Sequence, residues 1–360
     1  MTNEWTIAEE PALRGYLVEW AAAGDFIVSK RNRLYRSTTG RPPFTLVGVF
    51  PAPFWKGQIA RWRLAQRALR FGYYNVLRLP DETLFVTFDK SIGVFDGGRF
   101  RGLAGLVQPC RVFRGGGALD SDGTLFFGEY VPNERRDDPV RVYCYRPGSE
   151  RIEVVHEFPP GTVRHVHGIY RDPYTASLWC VTGDRGDECR ILRTTDQFRV
   201  LDTVGAGDES WRCVHPLFTP QAVYYASDSE FARNHIYRID RQSGDRSVVT
   251  EIGGPVYHAH AVGTDLFFSV GVEWCPSQEG RSATLWHVNE QGACAEILAF
   301  EKDRFPARYF QYGTLCFPCG PGLADEFFFH GVALRGADKR TFRARRRASR
   351  TEVDEGTGEI

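Results

Sequence analysis

Seven times along this 360-residue chain a turn is followed by a short apolar run that ends in polar residues. The first core residues of these runs are Phe26, Leu84, Leu125, Leu178, Val223, Leu266 and Phe327. Copies recurring every roughly 40–60 residues are the signature of four-stranded propeller blades, each of which buries its faces only against its neighbours. The stretch from Val163 to Asp184 shows the unit most plainly: Arg-His-Val-His, a strand, the turn Asp172-Pro-Tyr174, a second strand, then Thr182-Gly-Asp184. Paired as a hairpin, its two ends meet at one edge of a sheet.

Further strands fill out the unit. Segments such as Cys189 to Val204 and His235 to Val249, the latter with a Ser243-Gly244 turn, supply a third and fourth strand. His165 to Tyr170, Arg212 to Phe218, Val256 to Val262 and Tyr309 to Phe317 read as the strand that opens a blade. The expected fold is all-β: a seven-bladed β-propeller of four-stranded antiparallel blades, its last blade closed by strands from both ends of the chain. An aromatic content of 14% with a single Met suits pleated sheets better than a helical bundle.

Residues 1–345 are expected to form one propeller domain, with residues 54–71 as an inserted amphipathic helix. Ile59, Trp62, Ala65 and Leu69 recur near helical spacing and mark its core face, and Lys56, Arg61, Arg63, Arg67 and Arg70 occupy the others. The basic run from Arg343 and the acids after it read as a solvated, charged tail, placed at residues 346–360.

Lys plus Arg and Asp plus Glu balance at 45 each, which argues against a nucleic-acid partner. The acidic, polar start does not read as a secretory signal, and no run of 18 apolar residues marks a membrane span. The nine Cys lack a framework spacing, and Cys144, Cys180 and Cys316 fall in apolar runs. Buried reduced thiols in a cytoplasmic protein are expected. Cys316-Phe-Pro-Cys319 has a C-x-x-C spacing without a second pair to complete a zinc site.

The turn-and-strand repeat, with Arg193-Thr-Thr-Asp-Gln-Phe198 after one copy, resembles the BNR, or Asp-box, propellers related to sialidases. Thr195 and Asp196 match the Asp-box order, and the glycine that should follow is missing. Arg78-Leu-Pro80 is similar to the Arg-Ile-Pro element of sialidases, whose arginine binds a substrate carboxylate. The resemblance covers about residues 75 to 330 and implies the propeller fold.

Strand order then selects a working face. First strands begin and second strands end on the same rim, and the connections there are long and polar, as in Glu129 to Pro139, Asp184 to Glu188, Asp228 to Asn234 and Glu273 to Arg281. On that rim His167 and His260, one from each His-x-His pair, are expected beside Asp184 and Asp228 as an acid–base set. His167, His260 and Glu129 form a donor set that a divalent metal such as Mn or Zn would accept. Arg212, Gln311, His165 and His258 are expected to contact the ligand, with Trp211 or Tyr130 stacking on sugar rings. The expected ligand is a carbohydrate or other small acidic molecule. Recognition of a glycan, metal-assisted or histidine-based cleavage of one, and a protein-interaction platform are the three functions this face admits.

Overall fold

The computed structural model describes residues 4–52, 54–59, 61–69, 74–88, 91–108 and 116–347. Seven small sheets form a seven-bladed β-propeller of antiparallel four-stranded blades. With the strands of each blade lettered A to D, blade 4 is Val166–Arg171, Leu178–Thr182, Arg190–Thr194 and Asp202–Ala206. All seven apolar runs are B strands: Asp25–Lys30, Leu84–Phe88, Leu125–Gly128, Leu178–Thr182, Ala222–Ala226, Asp265–Val270 and Glu326–Val332. Each is almost wholly buried, because a B strand is packed on both faces by neighbouring blades.

Two crossings close the ring. The N-terminal strand Trp5–Glu9 pairs with Thr341–Arg346, with Trp5 opposite Arg346, and so becomes strand D of blade 7. Cys319–Gly322 leaves blade 7 and adds in parallel to Leu17–Ala22, making blade 1 five-stranded. Trp5 is 1% exposed and meets the Phe267 ring edge-on at 5.0 Å, so the terminal strand is bolted into the seam between blades 6 and 7.

Two expectations need correction. The basic run from Arg343 is not a tail up to Arg346. It forms strand Thr341–Arg346, where Arg343 and Arg345 pair with Glu326, and Arg346 pairs with Asp265 and Asp325. Residues 348–360 lie outside the described residues. The insert is two short helices, Phe54–Ile59 and Arg63–Ala68, not one. It is also turned the other way: Trp62 and Leu69 are 75% and 55% exposed, and Gln66 and Arg67 are buried. Ion pairs explain the inversion. Arg67 donates to the Phe310 carbonyl at 2.8 Å and pairs with Asp303, and Arg63 forks onto Asp338 at 2.8 Å. The insert therefore lies over the rim reached by the blade 6–7 connection and by the B–C connection of blade 7.

The eight described cysteines are free, and Cys144, Cys180, Cys189 and Cys213 are buried. Among the described residues no helix is long and apolar enough to cross a membrane.

Candidate functional site on the loop-rich rim

The start of strand A and the end of strand B of blade 4 build the centre of the site. Asp184 follows Gly183, which has a φ of 85° and stands where a Cβ would fall 1.9 Å from the Glu188 carbonyl oxygen. Only glycine lets the chain turn there. The turn brings Asp184 back over the start of strand A, where the Gly183 amide donates to the His165 carbonyl at 3.3 Å.

Both histidines of this pair reach the carboxylate. Nε2 of His165 lies 3.4 Å and Nε2 of His167 3.5 Å from Oδ1 of Asp184. Residues two apart in extended chain share a side, so His165, expected to contact the ligand, joins His167 at the carboxylate. Tyr130 lies against His165 at 4.1 Å between ring centroids. Arg164, just ahead of the pair, sends Nη1 to Oδ2 of Asp184 at 2.5 Å. Blade 5 contributes Arg212, whose Nη2 lies 3.3 Å from Oδ1 of Asp184 and whose Nε lies 3.1 Å from Asp228. Glu230 stands 3.5 Å from Nη1 of Arg212.

Burial sets the protonation states. It pushes His165 down to about 4, against the pull of Asp184, so the imidazole is neutral at pH 7. Burial would raise Asp184, but its contacts with His165 and His167 override it and hold the carboxyl far below the usual range. Burial drives Asp228 well upward, with Arg212 opposing and Glu273, Asp184 and Glu230 adding to the rise. One carboxylate is thus held ionised, and the other retains its proton far more readily than an exposed Asp.

His165, His167 and Asp184 each offer one ligand atom, and the three lie within 4.8 Å of one another. Nδ1 of His165 faces the Val131 carbonyl at 3.4 Å. If it donates there, Nε2 is left as an acceptor facing the Asp184 oxygen. Nε2 of His165 and Oδ1 of Asp184 are both buried without a hydrogen-bond partner. Arg212 stands 3.3 Å from the same Asp184 oxygen, and a bound cation would share that oxygen with it; two imidazoles with a carboxylate suit Zn or Mn. His167 currently spends Nε2 on the Gly183 carbonyl at 2.5 Å, so a full set requires that bond to be exchanged. The donor set fits a divalent ion.

Other expected residues sit elsewhere. His260 stacks on Phe317 and packs on Phe327, each at 5.4 Å, and His258 lies 3.5 Å from the Cys316 sulfur. Both belong to the seam between blades 6 and 7, because they lie inside strand Val256–Val262, whereas His165 precedes its strand. Glu129 is fully buried, accepting from the Tyr143 hydroxyl at 2.9 Å and the Arg141 amide at 3.1 Å, and is outside the three-ligand group. Trp211 closes a 3-10 turn, with Arg246 3.8 Å over its ring and Tyr225 stacked at 6.0 Å. Its ring stands over Gly205 of blade 4, where a Cβ would meet it at 2.1 Å, so it packs in the seam between blades 4 and 5. Gln311 follows the short helix Ala307–Phe310 on left-handed backbone. Arg78 lies on the opposite rim, paired with Asp25 and Glu82. Arg164 and Glu230 were missed. Their signal was adjacency, one residue before His165 and two after Asp228.

No family model and no curated protein matches the sequence. Solved structures do match the fold. An oligogalacturonate lyase in complex with manganese aligns over 96% of this chain and 91% of its own, at 11% identity and a TM-score of 0.58. An oligogalacturonate lyase from Vibrio parahaemolyticus aligns over 94% and 93%, at 10% identity and a TM-score of 0.57. A chain of the mitotic checkpoint complex aligns over 95% and 93%, at 10% identity and a TM-score of 0.53. At these identities the likeness concerns the propeller alone.

Proposed function

We propose that this propeller binds an acidic saccharide at its loop-rich rim, with a divalent cation held by His165, His167 and Asp184. The observation that carries the reading is the grouping of three buried side chains, His165, His167 and Asp184, whose ligand atoms lie within 4.8 Å of one another. A bound cation would supply positive charge for a sugar carboxylate or hydroxyl. Arg164 and Arg212 add donor forks on either side of Asp184, and Tyr130 braces the His165 ring.

A second reading, cleavage of the bound saccharide, is favoured by the opposed carboxyls. Asp228 retains its proton more readily than usual, as a general acid must, and neutral His165 can accept one. In an elimination next to a uronate carboxylate, a base removes the proton beside the carboxylate, a double bond forms, and the departing sugar oxygen takes a proton from the acid. The oligogalacturonate lyases among the similar folds lend this class support as analogy only. Kinship with Asp-box propellers rests on the turn at Asp196, whose Oδ1 accepts from Val200 N at 3.0 Å and from Thr194 Oγ1 at 2.8 Å. Thr194 there plays the part the sequence suggested for Thr195.

Calorimetric titration with oligogalacturonate and with an uncharged glucan of similar length, with and without manganese, tests the proposal. Binding of the acidic chain alone, strengthened by manganese, is expected. Equal binding of both chains, or of neither, overturns it. Appearance of an unsaturated product, followed by the ultraviolet absorbance of its new conjugated double bond, separates cleavage from recognition.

A further inference from the structure

A second polar site lies on the same rim, between the helical insert and blades 1 and 7. A cavity of about 240 Å³ is walled by Lys30, Arg31, Arg61, Arg63, Gln66 and Lys339. Lys30 and Arg31 come from the B–C turn of blade 1, Arg61 and Arg63 from the insert, and Lys339 from the B–C connection of blade 7. Three separate parts of the fold therefore bring cations to one hollow.

Their charges are poorly answered by the protein. Arg63 is matched by Asp338, which it grips with two 2.8 Å bonds. Among the described residues Lys30, Arg31, Arg61 and Lys339 have no ion pair. Lys339 meets the neutral Gln66 oxygen at 3.2 Å instead. Like charges gathered without counter-charges repel, and an anion in the hollow relieves that repulsion. Burial first, and then Arg63, bring the Lys339 ammonium down to about 8, as expected of a cation crowded by others. Glu19, the further acid that acts on Lys339, is lifted by burial to about 7, so it answers the charge only in part.

The backbone is committed to this placement. Arg31 and Lys339 both hold left-handed backbone, with φ of 56° and 58°, which is uncommon for side-chain-bearing residues. The Tyr74 hydroxyl donates to the Arg31 carbonyl at 2.8 Å, and the Lys339 amide donates to the Gly331 carbonyl at 2.8 Å, which fixes both turns. A hollow of this volume is smaller than sites for drug-sized ligands and suits one compact head group.

We propose that this cavity binds a doubly charged oxyanion of the phosphate or sulfate class, at a site separate from His165 and Asp184. Guanidinium forks match the tetrahedral oxygens, and the two lysines add positive charge.

Calorimetric titration of the full chain with inorganic phosphate and with inorganic sulfate at low ionic strength tests this. One saturable site is expected for at least one of them, and the tighter binder identifies the source. Arg61→Ala and Arg31→Asn should each weaken binding at least tenfold. Asn is chosen because it tolerates left-handed backbone, and thermal melts of both variants report that they fold. His165→Ala should leave the affinity unchanged. The proposal is overturned if neither anion binds, if both cavity variants bind as the wild type does, or if His165→Ala weakens binding as much as they do.

Discussion

Arg212 meets Asp184 twice: Nη2 lies 3.3 Å from the carboxylate and Nη1 donates to the main-chain carbonyl at 3.3 Å. Two blades are thereby joined through one guanidinium, which also reaches Asp228. Both partners are buried, and among the described residues the Asp184 carboxylate without Arg212 keeps Arg164 alone as a cationic partner while Asp228 loses its own. Arg212→Leu should lower unfolding free energy by about 3–5 kcal/mol, and Arg212→Lys, which cannot reach all three oxygens, by a smaller amount. Chemical denaturation measures both.

Stability should fall as pH drops from 7 to 4. His165 and His330 are buried and brought down to about 4 in the folded protein, against 6.5 for the free side chain. Between those values the unfolded chain binds more protons than the folded one, so stability is fully present above 6.5 and is lost as pH falls toward 4. Each histidine accounts for about 3 kcal/mol at most. Asp184, held below its ordinary value, adds a further loss below about pH 4. His330→Gln should flatten the slope of denaturation free energy against pH over that window.

The helical insert is held by charge and not by an apolar face. Arg67 is 2% exposed and binds Asp303 and the Phe310 carbonyl. Arg67→Met should release the insert while leaving the blades closed. The expected signs are faster amide exchange confined to residues 54–69 and early proteolysis there, with far-UV circular dichroism unchanged.

The N-terminal strand closes the ring through Trp5, which packs on Phe267 at 5.0 Å and on Phe327 at 5.5 Å. Trp5→Ala should cost about 3–5 kcal/mol through the cavity it leaves at the blade 6–7 seam. Thermal unfolding of the variant checks this.

The propeller was legible in the sequence because each B strand is buried on both faces and must be written as an unbroken apolar run. Leu125 to Gly128 and Leu178 to Thr182 are examples. Strand order singled out the rim on which His167 lies 3.5 Å from Asp184 and Arg212 links Asp184 to Asp228. What failed depended on depth and on partners. His260 sits too far along its strand to share the mouth with His167, and spacing does not show which blades are neighbours at that point. The insert was misread because helical periodicity counts apolar residues, whereas Arg63 and Arg67 are drawn inward by Asp338 and Asp303, more than 200 residues away. Trp211 is hidden beneath Arg246, another contact that no local pattern announces.

The central claim is that His165, His167 and Asp184 hold a divalent cation, and manganese titration followed by electron paramagnetic resonance tests it most directly. One saturable manganese per chain is predicted, weakened at least tenfold by His165→Ala and by Asp184→Asn and unaffected by His260→Ala. Absence of saturable binding in the wild type, or the same affinity in His165→Ala, would contradict it.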